Sequence, residues 1–243
     1  MALKFGILLT EDSAAWGDLA ETWVAGLRGS ADEEWAVYDT VHGNLPPLHE
    51  AATFTGFVIT GSHYSVLDID ATPWMRAVGD FVVACNKIHP AVRFLGGCFG
   101  HQLISAVLGG KVSHNPSGVF VLGRESIQIL PTSFPLRLPA VVNALQSHYD
   151  CVSAVPDGAV TLASSSTAAH EMVAIGSNIF TFQCHPEMTK DQLLTRILPR
   201  TIERRSLPQE ATSAIQTDLA SCVLDGGVLL STASRFLHRG WAE

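Results

Sequence analysis

The sequence has no Cys-x-x-Cys pair, and its five cysteines, Cys85, Cys98, Cys151, Cys184 and Cys222, are odd in number and widely spread. That pattern argues against a disulfide framework or structural zinc site and points to a reducing compartment, so a cytoplasmic protein is expected. No apolar stretch approaches the ~20 residues that span a bilayer, and residues 1–9 read as a buried strand rather than a signal peptide, so a soluble protein with no membrane association is expected. Positive charge is also scarce: 15 Lys and Arg against 23 Asp and Glu leave a net charge of −8. Such a chain carries no electrostatic footprint for nucleic acid or an anionic membrane. Its short basic run, Glu203-Arg204-Arg205, reads as a solvated helix face. A phosphate-cradling glycine loop ending in Lys-Ser/Thr, a dinucleotide fingerprint and internal repeats are all missing.

What is present is enough apolar material for a substantial core, 47% of 243 residues. Residues 4–9, 35–38, 56–60 and 92–95 are short apolar runs. Between them, residues 12–27 and 74–88 carry helical spacing, with Leu19, Trp23 and Leu27 four apart in the first. This βαβα alternation, with strands apolar on nearly every residue, predicts a parallel sheet covered by helices on both faces. Beyond Gly109-Gly110 the texture changes. Runs at 119–122, 126–130, 151–152, 161–163, 172–175 and 179–183, separated by Pro, Gly, Asn and Asp, predict an antiparallel meander. From about residue 190 the pattern is helical, so a first domain, 1–190, is expected with a helical extension packed on it, 191–243.

The most informative stretch is Phe94-Leu95-Gly96-Gly97-Cys98-Phe99-Gly100-His101-Gln102, an apolar strand that runs into a cysteine bracketed by glycines and then into a helix. This is a nucleophile elbow: the turn lifts the side chain above the sheet, and Gly96 and Gly100 remove β-carbons that would collide there. The pattern Gly-x-Cys-x-Gly-x-Gln arises by chance in roughly one chain per thousand of this length and composition. The Phe99 amide opens the helix, where it can donate to an oxyanion while the helix N-terminus favours a thiolate.

A cysteine nucleophile needs a base, and the base needs an orienting group. His185 ends the apolar strand 179–184 and is followed by Pro186-Glu187, so on extended backbone His185 and Glu187 point to the same side. Cys184 points the other way and reads as packing. A second oxyanion donor is expected after the third strand, where Gly61 or Ser62 offers its amide. Gln102, one helical turn past Cys98, faces the same side as the nucleophile. Ser147 and His148, within Ser147-His148-Tyr149-Asp150, are candidates for substrate shaping, whereas His101 and His114 read as solvent-facing or capping residues.

Gly96–Gln102 together with His185-Pro186-Glu187 and Thr60-Gly61-Ser62 resembles the class I glutamine amidotransferases over about residues 4 to 190. The resemblance implies a flavodoxin-like three-layer α/β fold: a mostly parallel sheet flanked by helices, with a small antiparallel sheet and a helical tail. It implies a Cys-His-Glu triad of Cys98, His185 and Glu187, oxyanion donors at Ser62, Phe99 and Gly61, and no metal or organic cofactor. This sequence departs from the family pattern in having Gly97 where an aliphatic residue is usual and Ser62-His63 where Gly-Pro is common. A chain of this layout, without a fused synthetase domain, is similar to the γ-glutamyl peptidases of the superfamily. These act on a small-molecule γ-glutamyl substrate, glutathione-like peptides or conjugates, by hydrolysis through a γ-glutamyl thioester. The alternatives are a glutaminase subunit that delivers ammonia from glutamine to a separate synthase partner, and a non-catalytic binding or regulatory homologue.

Overall fold

The computed structural model describes residues 2–131 and 134–241. Its largest feature is a nine-stranded sheet in the order β2-β1-β3-β4-β11-β10-β9-β6-β7. Five neighbouring strands, β2 (Glu34–Asp39), β1 (Lys4–Leu9), β3 (Gly56–Ile59), β4 (Arg93–Gly97) and β11 (Ile179–Phe182), run parallel. The helices α1 (Leu19–Leu27), α2 (Pro73–Ile88) and α3 (Phe99–Val107) supply the crossovers. Side chains alternate across the sheet as its pleat requires. Phe5 and Ile7 join one buried cluster with Trp23 and Leu27 of α1, whereas Leu8 joins Phe57, Met75 and Leu103 on the opposite face. Three layers result, as the resemblance implies.

The sheet continues without a break into the antiparallel strands β10 (Met172–Ile175), β9 (Val160–Ser164), β6 (Val121–Ile129) and β7 (Val141–His148). A separate two-stranded antiparallel sheet pairs β5 (Lys111–His114) with β8 (Asp150–Ala154). The runs expected as two strands at 119–122 and 126–130 form the single strand β6, which passes through Gly123 at φ +113, a backbone state that favours glycine. Strand β7 escapes apolar pattern matching because it carries Asn143, Gln146 and Ser147. Gln146 is nevertheless fully buried, and its Nε2 donates to Glu171 Oε1 at 2.9 Å.

After residue 190 the chain is helical, as expected. A capping box between Thr189 and Gln192 starts α4 (Lys190–Gln192), a π-type turn (Leu193–Ile197) follows, and α5 (Leu198–Arg205), α6 (Gln209–Ser221) and α7 (Gly226–Arg239) complete it. Leu193, Ile197, Leu198 and Leu219 build a buried cluster with Met188 and Leu145 of β7, while Leu229, Ala233, Phe236 and Leu237 of α7 join the core beside α1. Among the described residues no helix is long and apolar enough to cross a membrane.

Candidate active site

Cys98 sits between β4 and α3 at φ 46, ψ −101, a left-handed backbone for a residue with a β-carbon. The strain is held from several sides: Cys98 N–H donates to Phe182 O of β11 at 2.8 Å, and Gly100 N–H donates to Thr60 O at 3.1 Å. The glycines are required as the sequence predicts. A β-carbon on Gly100 would lie 2.3 Å from Ile59 O, and one on Gly96 would lie 2.8 Å from the Gly100 carbonyl. Gly97 finds its explanation here too, because a β-carbon there would sit 2.7 Å from the Trp23 ring, which fills the space an aliphatic side chain would take.

His185 and Glu187 do not lie on extended strand. β11 ends at Phe182, and residues 183–187 form bends and a turn in which Met188 N–H donates to His185 O at 3.2 Å. The two side chains still meet, with His185 Nδ1 2.9 Å from Glu187 Oε1 in a nearly dry setting. Trp16, in the short turn Ala14–Trp16 after β1, stacks on the imidazole at a centroid distance of 5.2 Å. Cys98 and His185 both border the space over Gly61, where a β-carbon would lie 2.9 Å from His185 Cε1 and 3.7 Å from Cys98 Cβ. Burial acts to strip the proton from His185, but the Cys98 sulfur and the Glu187 carboxylate outweigh it and hold the imidazole well above its usual value. Cys184, beside His185, is fully buried in the core, as expected.

The loop after β3 is tightly held. Thr10 N–H donates to Thr60 Oγ1 at 3.1 Å and Thr10 Oγ1 to Gly61 O at 3.2 Å. Where the family pattern has proline, His63 is clamped by Glu11, which accepts from the His63 amide at 2.7 Å and meets His63 Nδ1 at 2.6 Å. Glu11 thus supplies the rigidity that a proline ring would give. Phe99 occupies the first position of α3, where an amide has no intrahelical acceptor.

A cavity of about 310 Å³ opens over Cys98 and is lined by Ser62, Phe99, Gln102, Ser147 and His148, so every expected site residue except the buried pair His185–Glu187 and Gly61 borders it directly. Gln102 Nε2 donates to Asp150 O at 2.8 Å and to Gln183 Oε1 at 3.1 Å, and Gln183 Nε2 donates in turn to Cys98 Sγ at 3.5 Å. Ser147 offers its carbonyl, 3.9 Å from the sulfur. Burial lowers His148 to a pKa of about 4, so it faces the cavity as a neutral ring.

Several features lay beyond the sequence reading. His101 is not solvent-facing: it is fully buried, bonded to Thr181 Oγ1 at 2.8 Å, and burial pushes its pKa down to about 3. His114 is exposed as expected, but its Nδ1 pairs with Asp150 at 2.6 Å. Trp16 and Gln183 were missed, although Gln183 stands only two residues before His185. The run at 203–205 is more than a solvated face, because Arg204 and Arg205, with Arg200, border the cavity.

Residues 48–203 match the family described as Glutamine amidotransferase class-I. The chain is 31% identical to gamma-glutamyl peptidase 3 of Arabidopsis thaliana over 78% of this chain and 78% of that one. It is 29% identical to gamma-glutamyl peptidase 4 of the same plant, covering 88% and 85%. It is also 28% identical to the glutamine-hydrolyzing GMP synthase of Petrotoga mobilis, covering 76% of this chain but 37% of that one. In fold it is similar to a glutamine amidotransferase of Thermotoga maritima, with a TM-score of 0.74, 17% identity, and 98% and 99% of the two chains covered. The elbow, the His-Pro-Glu turn and this match agree: the chain belongs to the class I glutamine amidotransferase family.

Proposed function

We propose that this protein hydrolyses γ-glutamyl amide bonds through a γ-glutamyl thioester on Cys98, acting as a γ-glutamyl peptidase on glutathione-like peptides or conjugates. The observation that carries the reading is the convergence of Cys98 and His185 over Gly61, with Glu187 bound to the far side of the imidazole. Similarity to two gamma-glutamyl peptidases favours this chemistry.

Cys98 sulfur attacks the γ-carbonyl carbon, and the carbonyl π-electrons move to oxygen, where the amides of Ser62 and Phe99, with Gly61 shaping the loop, stabilise the oxyanion. Collapse breaks the C–N bond as the His185 imidazolium gives its proton to the leaving nitrogen, and the thioester remains. Water then adds to the thioester and passes a proton to His185, and breaking the C–S bond releases glutamate and restores the thiol–imidazole pair. Glu187 orients the imidazole and stabilises its charge. Gln102, Ser147 and His148 shape the cavity around the γ-glutamyl group. On this reading the helices after residue 190 belong to the catalytic unit, because α5 forms part of the cavity wall. The five thiols are free, in keeping with a reducing, cytoplasmic setting.

Likeness to a glutamine-hydrolyzing GMP synthase supports a second reading, release of ammonia from glutamine for a separate synthase. The test is turnover by the isolated protein of glutamine and, separately, of a γ-glutamyl dipeptide, beside Cys98→Ala. The peptidase reading expects the dipeptide to be cleaved faster than glutamine and the variant to be inert. Glutamine turnover that rises only with a synthase present would favour the second reading, and wild-type rates in the variant would refute both.

A further inference from the structure

Three guanidinium groups, Arg200, Arg204 and Arg205, all from α5, border the cavity above Cys98. None of them has a carboxylate partner among the described residues, which is unusual in a chain whose net charge is −8. Among the described residues Asp150 is the single carboxylate on the cavity wall, and it is already engaged, by His114 Nδ1 at 2.6 Å and Ser65 Oγ at 2.5 Å. The wall is therefore positive in a protein that is otherwise acidic.

Two of the arginines are held in place. Arg200 Nη1 donates to Ser13 Oγ at 2.7 Å, and the Arg205 guanidinium lies over the rings of Phe120 and Tyr149, 4.9 and 5.1 Å from their centroids. An arginine stacked on aromatic faces keeps its donor edge free and pre-aimed, the arrangement that suits bidentate recognition of an oxyanion. The Arg204 charge is felt by His63 of the loop after β3.

We propose that Arg200, Arg204 and Arg205 form a carboxylate-recognition rim for the leaving-group side of the substrate. The substrate is then a γ-glutamyl amide of an amino acid or peptide with a free carboxylate, rather than glutamine. This rests on the assignment of Cys98 as the nucleophile. The α-carboxylate of the γ-glutamyl group is a poorer match for the rim, because it carries an α-ammonium beside it that three cations would repel. A C-terminal carboxylate beyond the scissile amide has no such neighbour.

The test compares kcat/KM for γ-glutamylglycine and γ-glutamylglycinamide, which differ only in that carboxylate. Wild type is expected to prefer the acid by about tenfold or more, the size of a charge-assisted hydrogen bond, and to lose part of that preference as salt rises from about 0.02 to about 0.5 M. In Arg204→Gln/Arg205→Gln the ratio falls toward one, chiefly through KM for the acid, while Arg205→Lys keeps part of it. Arg204 and Arg205 are exposed, and the single variant Arg204→Gln supplies the comparison should the double variant fold poorly. Equal rates on acid and amide in wild type, or a full preference in the double variant, would overturn the rim while leaving the nucleophile assignment intact. No turnover of either substrate would overturn both.

Discussion

At the floor of the cavity Cys98, His185 and Glu187 are 4%, 1% and 6% exposed, locked by backbone hydrogen bonds and glycine contacts, whereas at its rim Arg204 and Arg205 are exposed side chains on a short helix. On the proposed mechanism the floor holds the reacting atoms, whose placement must be good to fractions of an ångström, and it is built from strand ends, a strained φ and residues that leave no slack. The rim has only to present charge, and α5 can do so without burying it. On that reading the chemistry is separated from the choice of leaving group. Substitution at the floor is expected to change whether turnover occurs, and substitution at the rim to change what is turned over.

The sharpest way to break that division is at the floor. Cys98→Ala removes the proposed attacking atom, and turnover of γ-glutamyl substrates is expected to fall to background in a coupled glutamate assay. Glu187→Gln preserves shape but removes the charge that, on the proposed mechanism, orients and stabilises the imidazolium, and kcat is expected to drop about 10³- to 10⁴-fold with KM little changed. Loss confined to KM would place Glu187 in binding instead.

Stability tests come next in size. Gly100→Ala puts a methyl group 2.3 Å from Ile59 O, and because backbone cannot swing aside as a side chain can, a destabilisation of about 1–3 kcal/mol is expected in urea unfolding. Gly97→Ala meets the Trp23 ring instead, so Trp23→Leu should rescue part of its cost, and a double-mutant cycle without coupling would contradict that packing.

The pH dependence of stability offers the most specific effect. Burial raises the Glu171 pKa from its ordinary 4.5 to about 7, against the pull of hydrogen bonds from Ser165 and Gln146. The folded state then holds a proton that the unfolded chain releases, so this group stabilises the fold below about pH 4.5 and that contribution is lost as pH rises toward 7. The full span corresponds to about 3 kcal/mol. Compared with Glu171→Gln, wild type should lose relative stability between these pH values in thermal unfolding, and parallel curves would show that Glu171 titrates normally.

Much of the floor was legible because it is local in sequence. Gly96, Cys98, Gly100 and Gln102 lie within one strand-to-helix turn, and His185 and Glu187 within three residues. The rim, by contrast, depends on where α5 lies against the sheet. A pair of arginines at 204 and 205 looks the same in sequence whether a cavity or solvent faces it. Trp16 against His185 and Gln183 against Cys98 are contacts across long stretches of chain that no spacing rule can locate. The same limit explains β7, whose buried Gln146 is satisfied by Glu171, a partner invisible until the strands pair. It also explains His101, which looks polar in sequence yet is bonded to Thr181 inside the core.

The central claim is that the sulfur of Cys98 forms a covalent bond to the γ-glutamyl carbon. Rapid acid quench of wild-type protein with γ-glutamylglycine, followed by peptide mapping, tests it directly. One γ-glutamyl group on the peptide containing Cys98, absent from Cys98→Ser, is the predicted result, and steady turnover with Cys98 unmodified at every quench time would contradict it.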